Sequence, residues 1–212
     1  MTTRVLCVDA GGVLFNNVTE DSPFLAQLAG HCGIEVTALR DGLDNCDGYY
    51  ETGAQDVADV IGGIVKQAGG AFIPPRSVIL TAYQQCVVPK LPALADLTML
   101  RREYPQLRLI LANNEARAFD EVKNESYGHL ALFDVICSSW RLGAVKPTDE
   151  YFDAMYAAIG TTPVEIGFID DNLSVLNAVA ARGMHPISAS TAWPELPLRA
   201  WLNGLSEFPN EL

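Results

Sequence analysis

The feature that most constrains this chain is a short apolar run that ends at an acid and is followed by two glycines. Residues 5–8 have the length and β-branched content of a buried strand. Asp9 ends the run, and Gly11 and Gly12 let the backbone turn tightly and come close to a ligand. Ligands of open parallel sheets bind beyond the carboxyl ends of the strands. Asp9 is therefore a candidate nucleophile or metal ligand, with a turn-capping role as the alternative at this point.

Strand-like and helical segments alternate along the second half of the chain. Strand patterns occur at residues 107–112, 133–137, 166–169 and 185–187, and helical patterns end near residues 122, 159 and 182. Such alternation indicates a parallel sheet that is covered by helices on both faces. We therefore predict an α/β fold with a doubly wound, Rossmann-like parallel sheet. A surface helix is predicted for the tail, residues 193–205.

The first half of the chain is helical in pattern between residues 16 and 89. Apolar stripes at helical spacing begin near Phe24 and Val57, whereas the glycine pairs at residues 62–63 and 69–70 weaken the helix prediction locally. We predict that residues 16–89 form a small α-helical cap subdomain, called here the helical insert. Residues 1–15 and 90–212 then form the α/β core domain. The two chain crossings predict that the insert moves and closes over substrate.

A second strand-like run also ends in acids, Asp170 and Asp171. Because parallel strands end at one edge of a sheet, these acids can meet Asp9 there. Clustered carboxylates resist joint ionisation unless a cation lies among them, and a site with oxygen ligands alone favours Mg²⁺. The alternative is that the acids cap helices at two separate strand ends. Lys146, placed before Pro147 and so biased towards an extended backbone, is a candidate cation for the same edge.

Composition argues against several classes of function. The 212 residues carry a formal net charge of −12, so nothing neutralises a nucleic-acid backbone. No apolar run approaches the roughly 20 residues that a membrane helix needs, and the N-terminus lacks the pattern of a secretory signal. The five cysteines show no CxxC spacing, so neither a zinc site nor a disulfide framework is indicated. We expect a cytoplasmic protein with no nucleic-acid partner and no membrane partner.

The order of these motifs resembles the haloacid dehalogenase-like (HAD) hydrolase superfamily. The chain has D-x-x-G-V-L from Asp9, a strand end followed by Asn, G-x-x-K-P up to Pro147, and G-F-I-D-D-N from Gly167. The helical insert directly after the first motif is similar to the subclass with a small α-helical cap. Residues 119–183 also resemble the bacterial sugar-phosphate phosphatases and the N-terminal phosphatase domain of soluble epoxide hydrolases. The resemblance covers nearly the whole chain.

The resemblance implies catalytic and phosphate-binding roles. Asp9 matches the nucleophile that forms a phospho-aspartyl intermediate. Lys146 matches the ammonium that binds the phosphoryl oxygens and offsets the charge of the nucleophile. Gly12, Lys146 and the backbone amide of Asn113 fall at the phosphate-binding positions. The implied substrate is a small phosphorylated metabolite.

The resemblance also implies a Mg²⁺ cofactor. Asp9 and Asp170 match the carboxylate ligands, and Asp171 matches the acid that supports the metal, often through water. The backbone carbonyl of Gly11 matches the remaining protein ligand.

Two positions depart from the pattern of the phosphatases in this superfamily. Gly11 stands where they usually have a second Asp as general acid and base, which typically contributes about 10²–10⁴-fold to the rate. Ala112 stands where a Ser or Thr hydroxyl usually binds phosphate, and the loss of that hydrogen bond weakens binding by about 0.5–1.5 kcal/mol.

Three functions therefore remain open from the sequence. The first is a Mg²⁺-dependent phosphohydrolase with altered acid–base chemistry, and the second is a degenerate protein that binds a phosphorylated ligand or a partner protein. The third is a dehalogenase-like hydrolase, which needs neither the second Asp nor a metal and for which Arg40 is a candidate carboxylate-binding residue. The acid pair Asp170-Asp171 favours a metal and hence phosphate.

Overall fold

The structure of the chain is a computed structural model that describes residues 4–46, 48–161, 163–192 and 201–202. Within these residues the elements follow one another along the chain as β1 (Val5–Val8), α1 (Val18–Asp21), α2 (Phe24–Cys32), α3 (Val36–Asp44), α4 (Val57–Gln67), α5 (Arg76–Cys86), α6 (Leu91–Glu103), β2 (Arg108–Leu111), α7 (Arg117–Tyr127), β3 (Val135–Ile136), α8 (Ser139–Leu142), α9 (Asp149–Ile159), β4 (Ile166–Asp170), α10 (Leu173–Ala181), β5 (His185–Ser188) and α11 (Ala189–Ala192). Short 3₁₀ helices cover His129–Leu132 and Pro163–Glu165.

The five strands form one parallel sheet in the order β3-β2-β1-β4-β5. The first strand is central, and its last residue, Val8, lies opposite Leu111 of β2 and Ile169 of β4. All four residues of β1 are buried, which explains why the strand reads as a continuous apolar run. The prediction of an α/β fold with a doubly wound parallel sheet is confirmed.

Side chains of β1 alternate between two separate hydrophobic clusters. Leu6 and Val8 pack into the cluster that also holds the apolar residues of the helical insert. Val5 and Cys7 point to the opposite face, into a cluster that includes Tyr151 of α9. This alternation follows from the two-residue period of a strand, and it fixes the central strand between two packed layers. The end of β1 is held firmly as a result.

The two crossings between the helical insert and the rest of the chain lie side by side. The Asn16 amide donates to the carbonyl of Val88 at 3.0 Å, and the Lys90 amide donates to the carbonyl of Leu14 at 2.8 Å. The Asn16 side chain adds a bond, because its Oδ1 accepts from the Val88 amide at 2.7 Å. The division into core and cap, and the closing motion, stay predictions.

The local structure differs from the sequence prediction at several points. The helix α4 continues through Gly62 and Gly63, where the glycine pair weakened the helix prediction. Burial of the apolar side of α4 outweighs the cost of about 1 kcal/mol per glycine. β3 contains only two of the five residues predicted for it. Most of the predicted tail helix lies outside the described residues. No helix in the described ranges is both long enough and apolar enough to cross a membrane.

Candidate active site

The ends of β1 and β4 bring three charged side chains together. Asp9 directly follows β1, and its backbone amide donates to the carbonyl of Ile169 at 2.9 Å. Asp170, the residue after Ile169, is the last residue of β4. The Lys146 Nζ donates to Asp9 Oδ1 at 2.9 Å and to Asp170 Oδ2 at 2.6 Å. The structure thus brings one ammonium between two carboxylates at the carboxyl edge of the sheet.

Burial governs the charges of this cluster. Asp9, Lys146 and Asp170 are 8%, 6% and 1% exposed. Burial raises the pKa of Asp9 to about 7; the Lys146 charge opposes the shift, and the Asp170 charge adds to it. Burial alone lowers the pKa of Lys146, but the charges and hydrogen bonds of the two carboxylates raise it above its usual value. The ammonium therefore stays charged and holds both carboxylates.

The backbone of Lys146 is fixed by a reciprocal pair of hydrogen bonds with Asn114. The Lys146 amide donates to Asn114 Oδ1 at 2.8 Å, and Asn114 Nδ2 donates to the carbonyl of Lys146 at 2.9 Å. Asn114 follows the end of β2, so the central strands position the lysine as well as the acids. The sequence analysis did not assign Asn114 a role, although the Asn-Asn pair at a strand end was a signal that could have indicated one.

The carboxylates of Asp9, Asp170 and Asp171 each offer an oxygen, and these oxygens lie within 4.8 Å of one another. When all three carboxylates are ionised they carry −3 and the Lys146 ammonium carries +1, which gives the cluster a net charge of −2. Lys146 contacts only Oδ1 of Asp9, which leaves Oδ2 for another partner. A donor set of oxygens with this excess negative charge fits a hard divalent cation such as Mg²⁺. Gly11 lines the same cavity as these acids.

Gly12 makes room for the third acid. Its φ of +65° is a left-handed conformation, and a β-carbon at this position would overlap the carboxylate of Asp171. The Lys90 ammonium donates to the carbonyl of Gly12. A side chain at position 12 is therefore excluded by the backbone conformation as well as by space.

Replacing Gly12 with Ala is expected to lower the free energy of unfolding by roughly 1–3 kcal/mol and to displace Asp171. Urea denaturation and Mg²⁺ titration of the variant measure the two effects. Gly30→Ala in α2 is the matched control, because a β-carbon there meets nothing within 4 Å. The control should be as stable as the wild type or more so. Equal stability and equal Mg²⁺ affinity of the two variants would contradict the prediction.

Asn17 of the helical insert lies beside Gly11. A β-carbon on Gly11 would come within 2.5 Å of Asn17 Oδ1, so the amide takes up the space next to the glycine. Asn17 Nδ2 donates to Asp171 Oδ2 at 3.1 Å. Gly11, the position at which the resemblance places a second acid, thus carries no carboxyl. The side-chain amide of Asn17 fills the adjacent space. Sequence reasoning missed Asn17, because nothing local indicates the contact.

A cavity of about 370 Å³ opens above the charged cluster. Its lining combines the strand-end residues with residues of the helical insert and the segment after β2, among them Asp9, Lys146, Asp170, Asn17, Glu51 and Glu115. Glu115 is paired: its carboxylate accepts from the Tyr83 hydroxyl at 3.1 Å and from the Lys123 ammonium. The cavity is therefore polar and large enough for a small phosphorylated molecule.

Two predicted phosphate-binding positions do not line this cavity. Gly12 and Asn113 are not among its lining residues. The Asn113 side chain is 1% exposed, and its nitrogen and oxygen have no hydrogen-bond partner in the part of the chain that the structure describes. The prediction for Asn113 concerned its backbone amide and stays a prediction. Ala112 is fully buried in the hydrophobic core and offers no hydroxyl.

The fold of this chain is also found in solved structures of other proteins. No family model matches the chain, and no curated protein matches it. Solved structures do match over most of its length. A HAD family enzyme from Bacteroides thetaiotaomicron superposes with a TM-score of 0.74 at 21% identity, covering 91% of this chain and 97% of that one. The same enzyme has been solved as a complex with magnesium and inorganic phosphate.

Two further structures extend the comparison. A predicted HAD-like family hydrolase from Porphyromonas gingivalis gives a TM-score of 0.74 at 19% identity, with 98% of this chain and 100% of that chain covered. The L-2-haloacid dehalogenase from Xanthobacter autotrophicus gives 0.63 at 18% identity, with 96% and 84% covered. The chain therefore has the fold of the haloacid dehalogenase-like hydrolases.

Proposed function

We propose that this chain is a Mg²⁺-dependent hydrolase that acts on a small phosphorylated metabolite through an aspartyl-phosphate at Asp9. One observation carries the proposal. The Asp9 carboxylate faces a cavity of about 370 Å³ with Lys146 at 2.9 Å and two further acids beside it. A buried nucleophile, a fixed ammonium and a cluster of excess negative charge are the parts that phosphoryl transfer requires.

Each residue of the site has its own role in the proposed reaction. An oxygen of Asp9 attacks phosphorus, and Lys146 binds the phosphoryl oxygens and offsets the negative charge that builds up on them. Asn114 keeps the lysine backbone in place through its two hydrogen bonds. Asp9, Asp170, the Gly11 carbonyl and Asp171 would hold Mg²⁺. The bound ion would neutralise the phosphoryl charge and so allow one anion to attack another.

Solved structures with the same fold support this assignment. The complex of the Bacteroides thetaiotaomicron enzyme contains magnesium and inorganic phosphate together. The same two ligands fit the charge and the donor atoms of the site in this chain.

A hydrolysis screen tests the proposal. Sugar phosphates, nucleotides, phospho-acids and nitrophenyl phosphate are incubated with the protein in Mg²⁺ or in excess chelator, and released phosphate is measured. We expect hydrolysis of at least one ester in Mg²⁺ and none in chelator. Binding of Mg²⁺ and inorganic phosphate without hydrolysis of any ester would instead favour the degenerate, ligand-binding protein.

A dehalogenase is the second candidate. Arg40 lines a cavity of about 590 Å³ that adjoins the first and could hold a substrate carboxylate there. L-2-haloacid dehalogenase shares the fold. The clustered acids Asp170 and Asp171 weigh against this function, because halide displacement has no use for a metal. Release of chloride from 2-chloropropionate in chelator, with no phosphate released from any ester, would favour the dehalogenase.

A further inference from the structure

Because Gly11 carries no carboxyl, the proposed reaction still needs a group that protonates the leaving oxygen. An alkyl ester oxygen leaves as an alkoxide unless an acid protonates it, and such a step contributes typically about 10²–10⁴-fold. Gly11 has no side chain. The neighbouring side-chain amide of Asn17 donates hydrogen bonds but does not ionise at neutral pH, so it cannot act as the acid. Another acid of the cavity has to supply the proton if the protein hydrolyses ordinary esters.

Glu51 lies where such an acid is needed. It lines the cavity that contains Asp9 and Lys146, and it also lines the adjoining cavity of about 590 Å³. A phosphate ester bound at Asp9 whose leaving group extends into this second space passes Glu51, because Glu51 lines both cavities.

The backbone of Glu51 is tied to the rest of the site across a long stretch of sequence. The Ser139 hydroxyl, at the start of α8, donates to the carbonyl of Glu51 at 2.7 Å. The same hydroxyl oxygen accepts from the Glu115 amide at 3.0 Å. The Glu51 amide in turn donates to the carbonyl of Gly48 at 2.9 Å. One serine thus fixes Glu51 of the insert relative to the segment that follows β2.

The Glu51 carboxyl has no structural partner in the described residues. No ion pair or hydrogen bond of its carboxyl group is found there, although the side chain is partly buried. Two other glutamates line the same cavity: Glu20 is exposed, and the carboxylate of Glu115 is held by Tyr83 and Lys123. A partly buried carboxylate normally has such partners when its role is structural. Glu51 is therefore available to a ligand.

The surroundings of Glu51 favour its neutral form. Burial raises its pKa to about 7, and the charge of Glu115 adds to the shift. The Lys146 ammonium opposes the shift, and Asp9 adds to it more weakly. These charges come from three places in the fold: Asp9 follows β1, Lys146 lies in the loop between α8 and α9, and Glu115 lies in the segment before α7. A carboxyl with a pKa near neutrality both gives and takes a proton readily.

We propose that Glu51 is the general acid and base of this site and takes the place of the carboxyl that Gly11 lacks. The inference rests on the proposed function. In the first step an oxygen of Asp9 attacks phosphorus, the bond from phosphorus to the ester oxygen breaks, and Glu51 gives that oxygen its proton. In the second step the Glu51 carboxylate takes a proton from the attacking water. The bond between phosphorus and Asp9 breaks, which releases phosphate and restores both side chains.

The leaving group separates this role from a structural one. The experiment compares kcat/KM for nitrophenyl phosphate and for the best alkyl phosphate ester of the screen, in wild type and in Glu51→Gln. Nitrophenolate leaves without a proton, so its kcat/KM should change by less than about tenfold, while that of the alkyl ester should fall by about 10²–10⁴-fold. The decline of wild-type alkyl-ester activity above neutral pH should disappear in the variant.

Loss of the base gives a second readout that does not depend on turnover. Glu51→Gln should form the aspartyl-phosphate with nitrophenyl phosphate and then hydrolyse it slowly. We expect a burst of one nitrophenolate per protein molecule and, after acid quenching, a mass increase of one phosphoryl group. The wild type should show neither. Glu125→Gln, the same change at an exposed position of α7, is the matched control for both measurements.

The outcomes distinguish the two proposals. Equal losses of kcat/KM on both esters, or no loss on either, would overturn the role of Glu51 and leave the proposed function standing. A wild type that hydrolyses nitrophenyl phosphate but no alkyl ester would also overturn that role. A wild type that hydrolyses neither ester in Mg²⁺ would overturn the proposed function, and the role of Glu51 with it.

Discussion

Replacing Asp9 with Asn is expected to reduce ester hydrolysis by about 10⁴-fold or more, the range found when a covalent nucleophile is removed. The amide has the size of the carboxylate but attacks phosphorus poorly, so no aspartyl-phosphate forms. It also removes one charge from the group that would hold Mg²⁺. The Lys146 ammonium keeps a partner, because it still contacts Asp170 at 2.6 Å. We therefore expect a folded, inactive protein.

Phosphate release in Mg²⁺ measures the first effect, and titration calorimetry with Mg²⁺ measures the second. Asp153→Asn is the matched control, because Asp153 is exposed on α9 and the same substitution there leaves the site untouched. A folded Asp9→Asn variant that retains a tenth of wild-type activity would exclude Asp9 as the nucleophile. Retained activity would also contradict the aspartyl-phosphate mechanism proposed above.

Replacing Lys146 with Met is expected to lower the free energy of unfolding by about 3–5 kcal/mol, since it leaves buried carboxylates without their counter-charge. Methionine keeps the length of the side chain and its apolar stem, so packing changes little. Asp9 and Asp170 would then face each other with no cation between them. Hydrolysis should also fall by about 10²–10³-fold, because the phosphoryl oxygens lose their ammonium.

Urea denaturation without metal and again in millimolar Mg²⁺ tests this prediction. Mg²⁺ should restore more stability to the variant than it adds to the wild type, because the ion replaces the missing positive charge. Lys66→Met, at an exposed position of α4, is the matched control. A loss of less than about 1 kcal/mol without metal would contradict the importance of the ion pairs.

The sequence was sufficient to predict the charged cluster because two simple rules apply to it. Parallel strands end at one edge of their sheet, so an acid after β1 and an acid at the end of β4 had to come close. Lys146 could be added because its loop lies between β3 and β4 in the chain, with only the short helix α8 between the end of β3 and this loop. The strand boundaries were good for the same reason, since β1 and β4 are buried on both faces and read as apolar runs.

The remaining contacts of the site could not be predicted from local pattern. The bond from Ser139 to Glu51 joins residues that are 88 positions apart, and the contact of Asn17 with Asp171 joins residues that are 154 positions apart. Both depend on how the helical insert packs against the sheet. No periodicity or spacing in the sequence records that packing.

The paired crossings at Asn16 and Val88 have a consequence for how such a protein can change its specificity. Entry and exit of the insert are joined by a backbone hydrogen bond of 3.0 Å, so its two ends form one narrow stem. A foreign segment with ends equally close could be grafted onto this stem without altering β1 or the charged cluster. The surface it would have to match is the one now covered by Tyr83, whose ring stacks on Phe119 at 3.8 Å. The graft would also have to supply a counterpart of Glu51, which lines the cavity from the insert, so an exchange of this segment would change recognition and proton transfer together.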